Sequence, residues 1–213
     1  MRLFVDADVG NNEIFLMTEI LEKGGIGIWK TDTIYGIFCR FDSINSIKNI
    51  LGFKGRSKVH KFSVALHQLE PYLDWFDITP PQAELMKKTL PGALTYIVPL
   101  KSKVPSQWFN KDDYLGIRIP AHNLTIKICE ALQIPLITTS ANQSGSPNIK
   151  SIEEISDSVK QDVDFIIDSG EIKQPVASTI IRFENNSYRI IREGQYESDL
   201  IAKIWENVIE VDK

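Results

Sequence analysis

The stretch Leu51 to Val64, LGFKGRSKVHKFSV, gathers cations without acids. Lys48, Lys54, Arg56, Lys58 and Lys61 fall between Asp42 and Glu70 with no acidic residue among them, and His60 and His67 stand alongside. The chain as a whole carries a formal net charge of -4, so this local excess runs against its background. Lys54-Gly55-Arg56 follows an apolar run that reads as the end of a helix. Gly55 leaves the backbone free to turn, and two cations then project from one short loop. Such a loop suits a small polyanion such as a nucleotide triphosphate, because Lys and Arg make charge-assisted hydrogen bonds to phosphate. One charge pair at contact is worth about 4 kcal/mol at an effective dielectric near 20, before desolvation is subtracted. A solvated basic surface loop accounts for the same run, and composition alone leaves both readings open.

Other polar groups stand where strands are predicted to end. Thr31-Asp32-Thr33 brings two hydroxyls and a carboxylate to the start of a strand, a composition that also serves turns for backbone reasons. Arg118 sits inside the short apolar run Gly116 to Pro120; buried, it needs a partner, and by alternation alone it reads as an outward-facing edge position. Thr138-Thr139-Ser140-Ala141-Asn142 follows an apolar strand directly. Open α/β sheets bind ligands beyond the carboxyl ends of their strands, although a hydroxyl or Asx turn ahead of Gly145 is the plainer account. Ala177-Ser178-Thr179 and Arg192-Glu193-Gly194 are two further groups of this kind.

The missing motifs narrow the chemistry. The chain has no GxxxxGK[ST], no HExxH, no GxSxG and no deaminase-type His/Cys set. Gly25 and Gly27 precede a strand, so they form no dinucleotide-binding fingerprint. Three histidines give a histidine-led mechanism few candidates; His67 and His122 read as surface residues. Phosphate chemistry asks the protein mainly for positioning and charge neutralisation, which cations, hydroxyls and amides can supply.

The elements that must position these groups follow from pattern. At 213 residues, 43% apolar and 24% charged, the chain has the composition of one soluble globular domain with a sizeable core. Cys39 and Cys129 form no CxxC, which fits a reducing cytoplasm without a structural metal site. No signal-peptide core or membrane-length apolar run is present. Helices are predicted from an Asn11 or Asn12 cap to Gly24, from a Ser43 cap to Leu51, from Pro80 to Thr89, over His122 to Leu132, from a Ser151 capping box to Lys160, and over Glu197 to Ile209. The last should bury Leu200, Ile204, Trp205 and Val208. Strands are predicted at Ile26–Trp29, Ile34–Phe41, Phe62–Leu66, Leu94–Leu100, Leu115–Ile119, Ile134–Thr138, Val163–Asp168, Ala177–Phe183 and Tyr188–Arg192, with a polar loop from Lys101 to Asp113. Strands and helices mix without strict alternation. The predicted fold is one α/β domain over residues 1–213, with a mixed, twisted sheet flanked by helices.

KTDTIYG, KGR, PGALTYIV, GIRIP, TTSANQSGSPN, ASTII and IIREG occur here in the order found in YrdC-like proteins, the threonylcarbamoyl-AMP synthases. The resemblance runs from about Gly24 to Gly194 and implies an α/β fold with a large, positively charged concave cavity. It implies a reaction in which L-threonine, bicarbonate or CO2, and ATP give threonylcarbamoyl-AMP and pyrophosphate. The product would pass to a separate transferase complex that completes N6-threonylcarbamoyladenosine in tRNA. Lys54 and Arg56 match the family's KxR pair, and Ser140 and Asn142 its SxN pair; these four are the implied catalytic set. On the same grounds ATP would meet Lys54, Arg56, His60, Ser140, Asn148 and Arg192. Threonine would meet Thr31, Thr33, Arg118, Thr138 and Ser178, with Arg118 on its carboxylate. Mg2+ is implied by the phosphate chemistry, not by any ligand cluster. Some relatives carry an extra C-terminal domain, and this chain is expected to be the short form without it.

The sequence departs from the family at Lys30, where the first motif usually has Pro, and at His60-Lys61, where an Asn-Pro or Lys-Pro step is common. Both changes bear on ATP contacts and leave the KxR and SxN pairs intact. A sister branch lacks KxR, so having both pairs places this chain nearer the synthases. Two other readings remain: a non-enzymatic protein binding double-stranded RNA or tRNA, with salt-sensitive affinity, and a family member that activates a different amine. The acidic balance and the lack of an aromatic-interleaved basic face count against the first.

Overall fold

The alternation of apolar and small polar residues along the predicted strands is realised in a single ten-stranded mixed sheet, with strand order β1-β8-β2-β3-β7-β4-β6-β5-β9-β10. The structure is a computed structural model and describes residues 1–6, 9–55, 62–101, 104 and 113–211. In chain order the elements are β1 (Arg2–Val5), α1 (Asn11–Glu22), β2 (Gly27–Lys30), β3 (Tyr35–Arg40), α2 (Ile44–Phe53), β4 (Ser63–Ala65) and α3 (Pro80–Thr89). They continue with β5 (Leu94–Pro99), β6 (Tyr114–Arg118), α4 (Asn123–Leu132), β7 (Leu136–Ser140), α5 (Asp157–Asp162), β8 (Phe165–Asp168), β9 (Thr179–Glu184), β10 (Ser187–Arg192) and α6 (Ser198–Val211). Parallel pairs (β1–β8, β2–β8, β4–β6, β5–β9) and antiparallel pairs both occur across the sheet, in line with the mixed α/β prediction.

Period-two alternation gives the sheet two different faces. Ile28, Ile37, Val64, Tyr96, Ile117, Ile137 and Ile181 point to one side, where they form the main core with α2, α3, α5 and α6. The opposite side carries a second core: Trp29, Phe38, Phe165 and Leu136 under Met17 and Leu21 of α1 and Ile128 of α4. There Trp29 stacks on Phe38 with ring centroids 3.8 Å apart, and its indole N–H donates to Thr125 Oγ1 at 2.9 Å. α1 and α4 cover only part of this side. Its next positions are small: Gly36, Ser63, Gly116 and Thr138, with Ser63 in register with both Gly116 and Thr138. Residues of this size cannot hold a helix against the sheet, so they form the floor of a hollow.

Several local expectations need correction. The cap of α1 is Gly10, whose N–H donates to Glu13 Oε2 at 2.9 Å, so Asn11 is the first helical residue. β1 has no counterpart in the sequence reading; four residues long, it is held by parallel pairing to β8. The helix expected from Ser151 to Lys160 is interrupted. Ser151 makes no side-chain cap bond, a 3-10 turn spans Ile152–Glu154, Ile155 is extended, and α5 starts at Asp157. On α6 Val208 is buried and Ile204 and Trp205 pack against the core as expected, but the buried position in the first turn is Ile201, with Leu200 45% exposed. The expected loop from Lys101 to Asp113 lies mostly outside the described residues.

α3 ties the far end of the sheet together. Thr79 and Gln82 form a reciprocal capping box, and the buried Gln82 amide donates through Nε2 to Asn185 O (2.8 Å) and Ser187 O (2.9 Å) in the β9–β10 hairpin. Gln82→Leu keeps the burial and removes these donors. An unmatched polar group costs about 1–3 kcal/mol, so the denaturant midpoint should fall by that equivalent; an unchanged midpoint would show that water replaces the amide.

Candidate functional site

The hollow on the half-covered sheet face is a cavity of about 160 Å3. Its floor and walls come from segments far apart in sequence: Thr31 and Ile34 after β2, Gly36 of β3, Ser63 of β4, Thr95 of β5 and Arg118 of β6. Thr138, Thr139 and Ser140 of β7, Asn148, Ala177, Ser178, Ile180 of β9 and Arg192 of β10 complete it. Glycine at position 36 is required by packing, since a Cβ there would lie 2.7 Å from Phe38 Cε2.

Arg118 is the buried charge of this cavity. It is 7% exposed and belongs to β6, an interior strand between β4 and β5, which corrects the reading of an outward edge position. Alternation does turn it away from the main core, and the Thr31–Ile34 turn folds over it. Its Nη2 donates to Asp32 Oδ1 at 2.5 Å, and Nη1 and Nη2 lie 3.4 Å from Thr33 Oγ1. Asp32 is fixed in turn by the Ala121 N–H, which donates to Oδ2 at 3.1 Å. Thr31 shapes the turn: its hydroxyl donates to Ile34 O at 3.0 Å and accepts from the Thr33 N–H at 3.2 Å. Arg118 Nε is buried without a hydrogen-bond partner. Burial pushes the Arg118 pKa down, Asp32 opposes this, and the positive charge of Arg192 adds to the lowering. Two guanidinium groups thus face one cavity, and among the described residues its lining contains no carboxylate, an arrangement suited to an anion.

Arg192 is placed by a close backbone approach. It donates through Nη2 (2.7 Å) and Nε (3.2 Å) to Ser178 O, while Ser178 Oγ bonds Thr95 Oγ1 at 2.8 Å. Gly194 permits this: a Cβ there would sit 2.4 Å from Ala177 O and Ser178 C. Asn148 donates to Pro175 O at 3.0 Å.

Lys54, Ser140 and Asn142 meet at the cavity's edge. Lys54 Nζ donates to Ser140 O at 2.8 Å and to Asn142 O, and lies 3.3 Å from both Ser140 Oγ and Asn142 Oδ1. Ser140 lines the cavity; Asn142 lines an adjoining hollow of about 400 Å3, and Asn148 borders both. Arg56 and His60 lie outside the described residues. Of the other expected contacts, Thr31, Thr138, Ser178, Asn148 and Arg192 line the cavity, while Thr33 stands behind Arg118. The sequence reading missed Asp32 as the partner of Arg118, and it missed Ser63 and Thr95. The run of small residues on one face of β3, β4, β6 and β7 is the signal that could have shown the floor.

His122 is half-buried, which corrects its reading as a surface residue. Its Nδ1 lies 3.3 Å from Thr125 Oγ1. Burial pushes its pKa down, Asp6 and Asp32 oppose this, and Lys30 and Arg118 add to the lowering.

Fold and site together define an α/β protein with a polar, arginine-lined cavity on one face of its sheet. The chain belongs to the Sua5/YciO/YrdC family: the family model, described as Telomere recombination, matches residues 19–194. It is similar to a provisionally named threonylcarbamoyl-AMP synthase of Methanocaldococcus jannaschii, 34% identical over 192 residues, which are 89% of this chain and 88% of the relative. It is also similar to the threonylcarbamoyl-AMP synthase of Aliivibrio fischeri, 29% identical over 181 residues, 84% of this chain and 97% of that one. Among solved structures, P. abyssi Sua5 complexed with L-threonine has a TM-score of 0.83 at 26% identity, with 95% of this chain and 60% of that chain covered. E. coli YciO has a TM-score of 0.81 at 25% identity, covering 92% and 96%. This chain therefore spans 60% of the P. abyssi protein's length.

Asp32→Ala would strand the Arg118 guanidinium in its buried place. Breaking a buried pair from one side costs about 3–5 kcal/mol, and equilibrium denaturation should read a loss of that order; less than about 1 kcal/mol would mean that solvent satisfies Arg118. His122 sets a pH dependence. Unfolded, it binds a proton near pH 6.5, whereas folded it binds one only at lower pH, so the unfolded state holds more protons in that window. Stability should therefore fall as pH drops below about 6.5, until the folded pKa is passed. The thermal midpoint of His122→Gln should decline less between pH 7 and 5 than that of the wild type; equal slopes would remove His122 as the cause.

Proposed function

We propose that this chain is an L-threonylcarbamoyladenylate synthase, a nucleotidyltransferase acting on L-threonine, bicarbonate or CO2, and ATP. The observation that carries the reading is Arg118: a fixed, buried guanidinium lining a small polar cavity, with its Nε–H unspent. A planar fork with spare donors matches a carboxylate. A cavity of about 160 Å3 is small beside the roughly 300–1,000 Å3 of sites for drug-sized ligands. It suits an amino acid and leaves the nucleotide to the adjoining hollow past Ser140 and Asn148. The relatives named as synthases, and the L-threonine in the P. abyssi Sua5 crystal, agree with this assignment.

Threonine places its carboxylate on Arg118, with Thr31, Thr138 and Ser178 around the rest of the molecule. Thr33 acts through Arg118. The threonine amine attacks CO2; a C–N bond forms, a proton leaves nitrogen, and a carbamate results. A carbamate oxygen then attacks the α-phosphorus of ATP, the bond to the α–β bridging oxygen breaks, and pyrophosphate departs with the electron pair. Ser140 and Asn142 orient the carbamate and the α-phosphate. Asn148 and Arg192 meet the nucleotide, and Arg56 and His60 meet the leaving phosphates. Effective local concentration is the main catalytic gain of such a site, because both reactants are held in attack geometry.

Among the described residues no group of three His, Cys, Asp or Glu side chains could hold a metal ion. Mg2+ would travel on the ATP phosphates, and no step is routed through it. We place the reaction in the cytoplasm, where the product passes to a tRNA threonylcarbamoyl transferase complex. Among the described residues no helix is long and apolar enough to cross a membrane.

Pyrophosphate release measured with and without threonine and bicarbonate tests the reading. Release should require both. Equal release with another amine in place of threonine would move the assignment to a different substrate. Absence of turnover, together with salt-sensitive RNA binding, would replace the enzyme with a binding protein.

A further inference from the structure

Lys54 holds the C-terminal cap of α2, where its N–H donates to Ile50 O at 3.1 Å. Its side chain turns inward and the residue is 3% exposed. Four oxygens of one turn surround the ammonium: the backbone carbonyls of Ser140 and Asn142, Ser140 Oγ and Asn142 Oδ1. An ammonium has three N–H donors. The four oxygen contacts within the protein engage this ammonium from Ser140 and Asn142 together, so a phosphate would have to compete with them.

The turn grips Lys54 in return. Ser144 Oγ donates to Lys54 O at 2.7 Å. Asn142 Nδ2 donates to Ser146 O, and Gly145 takes a φ of +87° between them. Ser140 lines the cavity, whereas Lys54 does not. The cation therefore sits behind the residues that face the ligand.

We propose that Lys54 is a positioning residue: its buried ammonium fixes the turn over residues 140–146 so that Ser140 and Asn142 face the nucleotide, and it makes no direct phosphate contact. The catalytic consequence rests on the synthase reading of that turn; the structural role does not. A point charge fits among four converging oxygens, while the planar fork of arginine needs acceptors laid out side by side. Direct phosphate contact is left to Arg56 of the same KxR pair.

The test compares Lys54→Arg and Lys54→Met with the wild type in two measurements. Amide hydrogen exchange of residues 140–146 in the ligand-free protein should rise at least tenfold in both variants, with the rest of the chain unchanged. Calorimetric affinities for adenosine, AMP and ATP should show AMP and ATP weakened by the same factor, with Arg no better than Met. A direct phosphate ligand gives the reverse: ATP weakened more than AMP, partial rescue by Arg, and unchanged exchange in the turn. That pattern overturns the proposal. Ser144→Ala, at an exposed position, guards against misfolding of the Lys54 variants, because it removes one tie of the same turn and should raise exchange there by a smaller factor. If the wild type binds no adenine nucleotide, the synthase reading fails. Exchange alone then decides on Lys54: raised exchange upholds its role, and unchanged exchange overturns it.

Discussion

A ten-stranded sheet must cover two faces, and this chain has helices for one and part of the other. The uncovered part is where side chains shrink to Gly36, Ser63, Gly116 and Thr138. Packing disfavours larger residues there. A Cβ at Gly116 would sit 3.0 Å from Ser63 Oγ, and one at Gly36 only 2.7 Å from Phe38 Cε2. An apolar face of that kind would need a lid to escape water. A face of hydroxyls and bare backbone does not, so it can stay open and receive a polar ligand. The walls are consequences of this floor. The turn after β2, the loop after β7 and the segment before β9 all stand at its margins, where among the described residues no helix occupies the space.

How much of this was legible follows from the range of each signal. α3 is read correctly at both ends, and its start is marked locally by two prolines. Strands dense in Ile, Val and aromatic residues are read to within one or two positions. α5 fails because a sequence pattern, Ser151 with Glu154, imitates a cap that the backbone spends on a 3-10 turn. β1 is invisible because a four-residue strand carries no period of its own and exists through β8. In the site, Arg118 and Asp32 are 86 positions apart, and Lys54 and Asn142 are 88 apart. No periodicity links residues at that distance. The meeting of the second pair was visible only through family resemblance, and the first pair was not foreseen.

Among the described residues, two buried cations show how one protein uses the same charge for different ends. Arg118 is held by a carboxylate on one side of its fork and keeps an N–H unspent. A buried donor without an acceptor is costly, of the order of 1–3 kcal/mol. A ligand carboxylate that satisfies it recovers that cost on binding. Lys54, by contrast, is enclosed by carbonyl, hydroxyl and amide oxygens of one turn, so its charge is committed to the fold. Spare donor capacity marks a group that awaits a ligand, and filled capacity marks one that shapes its neighbours. By that criterion the Arg118 end of the cavity is prepared by a donor left unsatisfied, and the Lys54 end by a turn already locked in place.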